Sequence, residues 1–317
     1  MRSMARRVAG VARLDEPLPA SVVTLGTFDG VHLGHQHLVA RAREAAAGLG
    51  VPVVAYTFDP HPAQVLAPHA APRLLCSTDE RVRLLGEQGI EVVLVEPFDA
   101  AFAAIDADTW VRDYLVGALH PRHVVVGFNF TYGQGRGGDT DHLRRSGERF
   151  GFEVEVVEAV QQASDVVSST RIRGLLQEGD LAMANRLLGR PYSLIGEVVE
   201  GDRRGRTIGF PTANQRPDAQ LFPAHGVYAT RATLDDGSGH DAVTNIGRRP
   251  TFGGDAPVAE THLLDFDGDL YGRVLRVELI ERLRAEQRFD GVDALIAQIR
   301  ADADRARERL ATLRDAP

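Results

Sequence analysis

Between Ser21 and Leu188 short apolar runs alternate with stretches of helical spacing. "SVVTL", "VPVVAYTF", "IEVVLVEPF", "HVVVGFNF" and "FEVEVVEAV" are rich in β-branched residues at consecutive positions, which suits strands covered on both faces. "LVARAREAAAGLG", "DERVRLLGEQG", "ADTWVRDYLVGAL" and "STRIRGLLQEGDLAMANRLLG" place apolar residues three and four apart and are predicted helices. This βαβ rhythm predicts a parallel sheet with helices on both faces. After "LGRPYSLIG" the period changes. "GVYATRATL", "DAVTNIG" and "RVLRVELI" are strand-like, with turn signals such as "DDGSG" and "DFDGD" between them. Leu275, Val277 and Leu279 alternate with Arg276 and Glu278, the pattern of a half-buried antiparallel strand. A helix, "VDALIAQIRADADRARERLATL", closes the chain. We place the domain boundary between Leu188 and Gly189, giving domains 1–188 and 189–317. There is no fixed-period repeat.

Length and composition narrow the class. The 317 residues fit two domains of ordinary size, and a formal net charge of −8 leaves no basic footprint for nucleic acid or an anionic membrane. No segment approaches the length and apolarity of a membrane span, and the N-terminal segment lacks a signal-peptide core. The single cysteine, Cys76, rules out an internal disulfide and a multi-cysteine zinc site, so a cytoplasmic setting is expected. All 36 Lys+Arg residues are arginine. A Walker A lysine and a covalent lysyl intermediate are therefore excluded, and phosphate chemistry must rest on Arg, His, backbone N–H groups and metal.

In "TLGTFDGVHLGHQHL" His32 and His35 stand where a strand gives way to a helix, the place where α/β sheets bind ligands. Zinc is one use for such a pair, but no HExxH is present and no carboxylates follow at metalloenzyme spacing. A triphosphate on a helix N-terminus fits better. "SSTRIRGLL" reads as an N-capped amphipathic helix, and Ser168, Ser169, Thr170, Arg171 and Arg173 also make its start a second anion site. "GFNFTYGQGRGGD" contains G-x-G-x-x-G at Gly133, Gly135 and Gly138, with Glu158 about 20 residues on. "FNFTY" separates those glycines from the strand, so the dinucleotide fingerprint is set aside and a flexible loop expected.

In the second half, Thr212 and Asn214 of "GRTIGFPTANQ" are oxygen-bearing side chains that share a face of an extended segment and could bind Mg²⁺. "DFDGD" imitates an EF-hand start, but Leu270 stands where glycine is needed and Arg276 where the twelfth-position Glu belongs. Asp267–Gly268 is read instead as a hairpin turn. Glu260, placed at the head of an apolar strand, is either a solvated strand end or a general base for a substrate hydroxyl.

"GTFDGVHLGH", "TFDPHP", "VVVGFNFTYG" and "SSTRIR", followed by "GFPTAN", "GVYA", "NIGRRPTF", "ETHLLDF" and "LRAEQRFDGVDALIAQI", occur in the order seen in bacterial bifunctional riboflavin kinase/FAD synthetases, which the chain resembles nearly end to end. The resemblance implies an α/β, Rossmann-like nucleotidyltransferase domain of the HxGH type, then a six-stranded antiparallel β-barrel kinase domain with a C-terminal helix. It implies phosphorylation of riboflavin to FMN and adenylylation of FMN to FAD, with ATP as donor, Mg²⁺ as metal and no nucleic-acid or membrane partner; a homo-oligomer is left open. In the adenylyltransferase it places Gly26, Phe28, Asp29, His32, His35, Ser168, Ser169, Thr170 and Arg173 at ATP, with both histidines catalytic. Phe58, His61 and Asn129 fall at the flavin. In the kinase it places Gly201, Gly205, Gly209, Pro211, Thr212 and Asn214 at ATP, Thr212 and Asn214 on Mg²⁺, and Glu260 as the base. Asn129, Thr131 and Tyr132 depart from the family's frequent Asp, Arg and Phe, and Ala285 from its usual Pro. Two rival classes remain: an oxidoreductase built on Gly133–Gly138, and a flavin-binding module without turnover.

Overall fold

The apolar runs of the first half form one parallel sheet in the computed structural model, which describes residues 5–162, 165–201, 208–217, 220–248 and 257–314. Its strands are β1 (Arg6–Val8), β2 (Ser21–Leu25), β3 (Val53–Asp59), β4 (Val92–Pro97), β5 (Pro121–Gly127) and β6 (Glu153–Val157), in the order β1-β4-β3-β2-β5-β6. Both faces are covered, as continuous apolar strands require. Trp110, Val111, Leu115 and Leu119 pack with Tyr56, Leu94 and Val124 on one face. Val39, Ala42, Leu84 and Leu85 pack with Val22, Ala55, Val93 and Val125 on the other. From β2 the chain winds outward to β3 and β4, then returns to lay β5 and β6 on the opposite side. The order therefore reverses between β2 and β5, and helix α1 (Leu33–Leu49) leaves β2 at that reversal. A crevice for ligands opens there at the carboxyl ends of the strands.

Three details depart from the sequence pattern. β1 is an edge strand of three residues with only Val8 buried, too short to show a period. The helix expected over 107–119 is π-helical at Trp110–Val116, which widens its central turn. The stretch 169–189 is two helices, Ser169–Glu178 and Leu181–Leu188, divided at Gly179, whose φ of +87° ends the first.

The chain divides into two compact units, Met1–Ser169 and Thr170–Pro317. Both short helices thus pack with the second unit: the Asn185 side chain donates to Leu279 O (2.9 Å) and accepts from Tyr192 N–H (2.7 Å). The Leu188/Gly189 boundary expected from sequence marks the change of period, and the change of packing comes earlier.

After a short pair, β7 (Gln161–Gln162) and β8 (Asp165–Val166), the remaining strands are β9 (Tyr192–Val199), β10 (Ala213–Arg216), β11 (Gly226–Leu234), β12 (Gly239–Arg248), β13 (Pro257–Leu263) and β14 (Val274–Arg284). They close into a six-stranded antiparallel barrel, β10-β13-β12-β11-β14-β9. Leu275, Val277 and Leu279 are fully buried, as their alternation predicts. Inside the barrel the hydroxyls of Thr230, Thr244 and Thr261 satisfy one another in a chain of 3.0 Å contacts. The closing helix, Val292–Arg314, packs Ala306 and Leu310 against Val227, Ala229 and Leu283. β13 and β14 are not neighbours in the barrel, so Asp267–Gly268 is not a hairpin turn. It lies instead in a loop, 264–273, that carries the chain from one strand to the other.

Candidate active sites

Between β2 and α1 the chain reverses tightly through Gly26–Val31. Phe28 (φ +49°) and Val31 (φ +39°) take the left-handed conformation that side chains disfavour. Strain of roughly 1–3 kcal/mol per such residue is offset by burial, since Phe28 and Val31 are 0% and 1% exposed. His32 then caps α1, its Nδ1 accepting from His35 N–H at 3.4 Å. With Nδ1 accepting, the neutral ring carries its proton on Nε2. His35 stacks on His32 with ring centroids 3.6 Å apart and planes 17° from parallel, and meets the edge of Phe28 at 5.3 Å. Imidazole donors are thereby packed at the positive end of a 17-residue helix, at the sheet's reversal point.

The other residues expected at ATP are placed unevenly. Gly26 donates its N–H to Tyr56 O (3.2 Å). The Phe28 side chain is in the core, so only its backbone can face a nucleotide. Asp29 is 1% exposed and turns its carboxylate inward, onto the backbone N–H groups of Leu75 and Cys76. Ser169 Oγ donates to Asp29 O (2.9 Å), which brings the half-buried Ser168–Ser169 pair to the turn. Thr170 and Arg173 belong to the second unit, exposed and half-buried respectively on the helix Ser169–Glu178.

Of the expected flavin residues, Phe58 ends β3 within an aromatic cluster, 5.6 Å from Phe98 and 6.0 Å from Phe102. Fully buried Arg81 donates to Phe58 O (2.8 Å) and fixes that strand end. His61 caps the short helix Pro62–Leu66, its Nδ1 accepting from Ala63 N–H (3.1 Å), so the ring has a structural task. Asn129 is exposed on the loop after β5, beside Phe128, which is 49% exposed. Sequence reasoning missed Phe128, because "GFNF" does not tell which phenylalanine turns out. The glycine-rich loop beyond is pinned rather than flexible. Tyr132 and Gly138 exchange two 2.9 Å backbone hydrogen bonds, Gln134 N–H donates to Ile105 O, and Tyr132 hydroxyl bonds His142 Nδ1 at 2.6 Å. Its glycines do not open a helix directly after a strand, as a dinucleotide fingerprint requires.

A buried carboxylate also went unread. Glu96, the register partner of Phe58 and 6% exposed, accepts from Tyr56 hydroxyl (2.9 Å) and Val11 N–H (3.0 Å). Burial holds its carboxyl above the ordinary glutamate range against the pull of those bonds, and burial together with the Glu96 charge raises the Tyr56 phenol well above its usual value. The stability linked to a raised carboxyl is present in acid and lost as pH rises from the ordinary glutamate range through the raised value. Glu96→Gln keeps an acceptor without the charge. It is expected to raise the Tm near neutral pH by roughly 2–4 °C, the shift that about 1 kcal/mol gives in a unit this size. The gain should fade in acid, as thermal unfolding at both pH values would show.

In the second unit Asn214 of β10, Glu260 of β13 and Asn245 of β12 are opposed in register. Directly opposed residues share a face. The neighbouring row, Ala213, Thr261 and Thr244, faces the barrel interior, so the Asn–Glu–Asn row lies outside. Glu260 is therefore mid-strand, not at a strand head as expected. Asn245 was missed because strand register cannot be read from "NIGRRPTF". Thr212 lines a cleft of about 190 Å³ with Val198, Pro211, Leu263, Phe266 and Tyr271, the last two from the 264–273 loop. Asn214 is only 6% exposed because the chain at Gly201 crosses it so closely that a Cβ there would overlap its amide. Gly209 has φ +85°, and Gly205 lies outside the described residues. Gly201→Ala is expected to displace Asn214 and lower the rate of any phosphate chemistry in this cleft about 10–100-fold, leaving the histidine site unaffected; separate assays of the two activities check it.

Residues 15–171 match the family model described as FAD synthetase, and residues 188–310 the one described as riboflavin kinase. The bifunctional riboflavin kinase/FMN adenylyltransferase of Escherichia coli (strain K12) is 40% identical over 302 residues, 95% of this chain and 96% of that one. Its namesake in Bacillus subtilis (strain 168) is 37% identical over 307 residues, again 95% and 96% of the two chains. The chain belongs to the bifunctional riboflavin kinase/FMN adenylyltransferase family. It carries the domains of both enzyme activities, an α/β domain with a parallel sheet and an antiparallel barrel with a C-terminal helix. A crystal structure titled a macrolide-efflux protein, from Streptococcus pneumoniae, is also similar, with a TM-score of 0.85 and 34% identity over 96% of this chain and 99% of that one. Among the described residues of this chain no helix is long and apolar enough to cross a membrane.

Proposed function

We propose that residues 189–317 phosphorylate riboflavin with ATP and that residues 1–188 adenylylate the resulting FMN to FAD. The observation that supports this division is that each compact unit holds its own cluster suited to phosphate chemistry: the stacked His32–His35 pair at the α1 N-terminus, and the Asn214–Glu260–Asn245 row with Thr212 two residues before Asn214.

In the kinase step Glu260 accepts the proton of the riboflavin 5′-hydroxyl as that oxygen bonds the γ-phosphorus and the bond to ADP breaks. The partly aromatic cleft that Thr212 lines would take the adenine. The Thr212 hydroxyl and the Asn214 side-chain carbonyl are hard oxygen donors two residues apart beside a carboxylate, and that set fits Mg²⁺. When bound, Mg²⁺ would neutralise charge on the phosphate oxygens. Gly201 and Gly209 let the chain lie close over the nucleotide, with Pro211 at the cleft wall; Gly205, outside the described residues, is assigned to ATP by the family motif alone.

In the adenylyl step a phosphate oxygen of FMN bonds the α-phosphorus of ATP and pyrophosphate leaves. His32, His35, the Gly26–Asp29 backbone and the first-turn N–H groups of α1 stabilise the charge that gathers on the leaving group. Ser168 and Ser169 join them through the Ser169–Asp29 hydrogen bond, and the family motif assigns Thr170 and Arg173 to the same nucleotide. Phe58, His61, Asn129 and the exposed Phe128 offer apolar and amide surface to the flavin. No covalent intermediate is required, which agrees with the absence of lysine. One buried cysteine suits a cytoplasmic setting.

The test is a time course of the protein with riboflavin, ATP and Mg²⁺, with the flavins separated chromatographically. FMN should rise and then be consumed as FAD accumulates, and EDTA should stop both steps. A protein that forms neither nucleotide would overturn the proposal.

A further inference from the structure

The turn that delivers His32 is tied by hydrogen bonds to the Leu75–Cys76 segment and to Ser169. Asp29 carries a carboxylate in a residue 1% exposed. Its oxygens accept from Leu75 N–H at 2.9 and 3.1 Å and from Cys76 N–H at 3.3 Å. The next residue, Gly30, donates its N–H to Cys76 Sγ at 3.2 Å. Ser169 Oγ donates to Asp29 O at 2.9 Å. Gly30 also has φ +80°, between the left-handed Phe28 and Val31. A turn with so much unfavourable backbone persists only where its surroundings over-determine it. Here the hydrogen bonds supply that determination on its inner side, and His32 follows within two residues.

We propose that the Asp29 carboxylate and the Cys76 sulfur form a clamp that sets the shape of the Gly26–His32 turn for adenylyl transfer, acting as positioning residues rather than ATP ligands. This rests on the adenylyltransferase reading of the first unit. A buried carboxylate that accepts backbone N–H bonds fixes geometry without presenting negative charge to the triphosphate. The sulfur is a weak acceptor, and its bond from Gly30 N–H ties the turn to the Leu75–Cys76 segment at a second point. Moving the turn by ~1 Å would misplace His32 and the turn's N–H groups against the leaving pyrophosphate, a displacement worth up to about a hundredfold in rate.

The test uses the full chain, whose riboflavin kinase activity reports in the same tube that the protein is folded. Asp29→Asn, Cys76→Ala, Cys76→Ser and His32→Ala are assayed for FMN adenylylation with ATP varied. A clamp predicts that Asp29→Asn lowers kcat about a hundredfold and Cys76→Ala about tenfold, with smaller changes in the KM for ATP. Cys76→Ser, which keeps an acceptor, returns to within about twofold of wild type. Kinase turnover is unchanged throughout. If Asp29→Asn fails to fold, the alanine and serine variants at Cys76 decide alone. Four results overturn the clamp. One is a rise confined to the KM for ATP in Asp29→Asn with Cys76→Ala silent, as a direct ligand would give. Another is a lower Tm with wild-type kcat and KM, as a merely structural contact would give. The third is full adenylylation by His32→Ala, which removes the underlying site assignment as well, whereas loss in His32→Ala with normal clamp variants removes the clamp alone.

Discussion

His32→Ala should convert the protein into one that turns riboflavin into FMN and stops there. The imidazole is the cap of α1 and the ring on which His35 stacks. In the proposed role its loss would remove a donor to developing charge, which costs roughly 100–1,000-fold in kcat, and would release the stacked His35. Adenylylation should therefore fall by about 1,000-fold or more, while the barrel, a separate compact unit, keeps its rate. FMN would accumulate to the full extent of the riboflavin supplied. Flavin chromatography over hours checks this, and a rate of FAD formation within about tenfold of wild type would remove His32 from the site.

Glu260→Ala is the reciprocal experiment. Glu260 sits between Asn214 and Asn245 in the outer row, half-buried. A positioned general base contributes roughly 100–10,000-fold, so riboflavin phosphorylation should fall by that amount. Supplied FMN should still become FAD at the wild-type rate. Glu260→Gln, which preserves shape and hydrogen bonding, should be as inactive as the alanine variant if proton acceptance is the role. Substantial kinase activity in the glutamine variant would mean that the carboxylate serves only to order the row.

The large divisions of this molecule were written in its period. Apolar runs spaced by helical stretches predict a covered parallel sheet, and the alternation of Leu275, Val277 and Leu279 predicts an antiparallel strand with one buried face; the barrel was implied by the family resemblance. The histidine pair was equally legible, because a strand end followed by a helix start has one geometry in such sheets. What the sequence did not disclose depends on contacts between distant segments. Asn245 joins Asn214 and Glu260 only through the pairing of β12 with β13 and β10. The 264–273 loop has the composition of a tight turn, and only the order of strands in the barrel shows that it spans two non-neighbours. Asp29 looks like a phosphate-site residue from its motif, yet its partner is the backbone at Leu75–Cys76. Glu96 reads as a surface charge until Tyr56 and Val11 are brought to it. Side-chain direction at strand ends, as at Phe58 and Phe128, likewise has no local signal.

Two separate sites on one chain make a claim that a mixing experiment meets directly. His32→Ala and Glu260→Ala proteins are incubated with riboflavin, ATP and Mg²⁺, each alone and then together, and FAD is measured. Alone, the first should yield FMN only and the second neither nucleotide. Together they should restore FAD, because FMN released by one protein is substrate for the other. FAD from either variant alone, or none from the mixture, would contradict the assignment of the two sites.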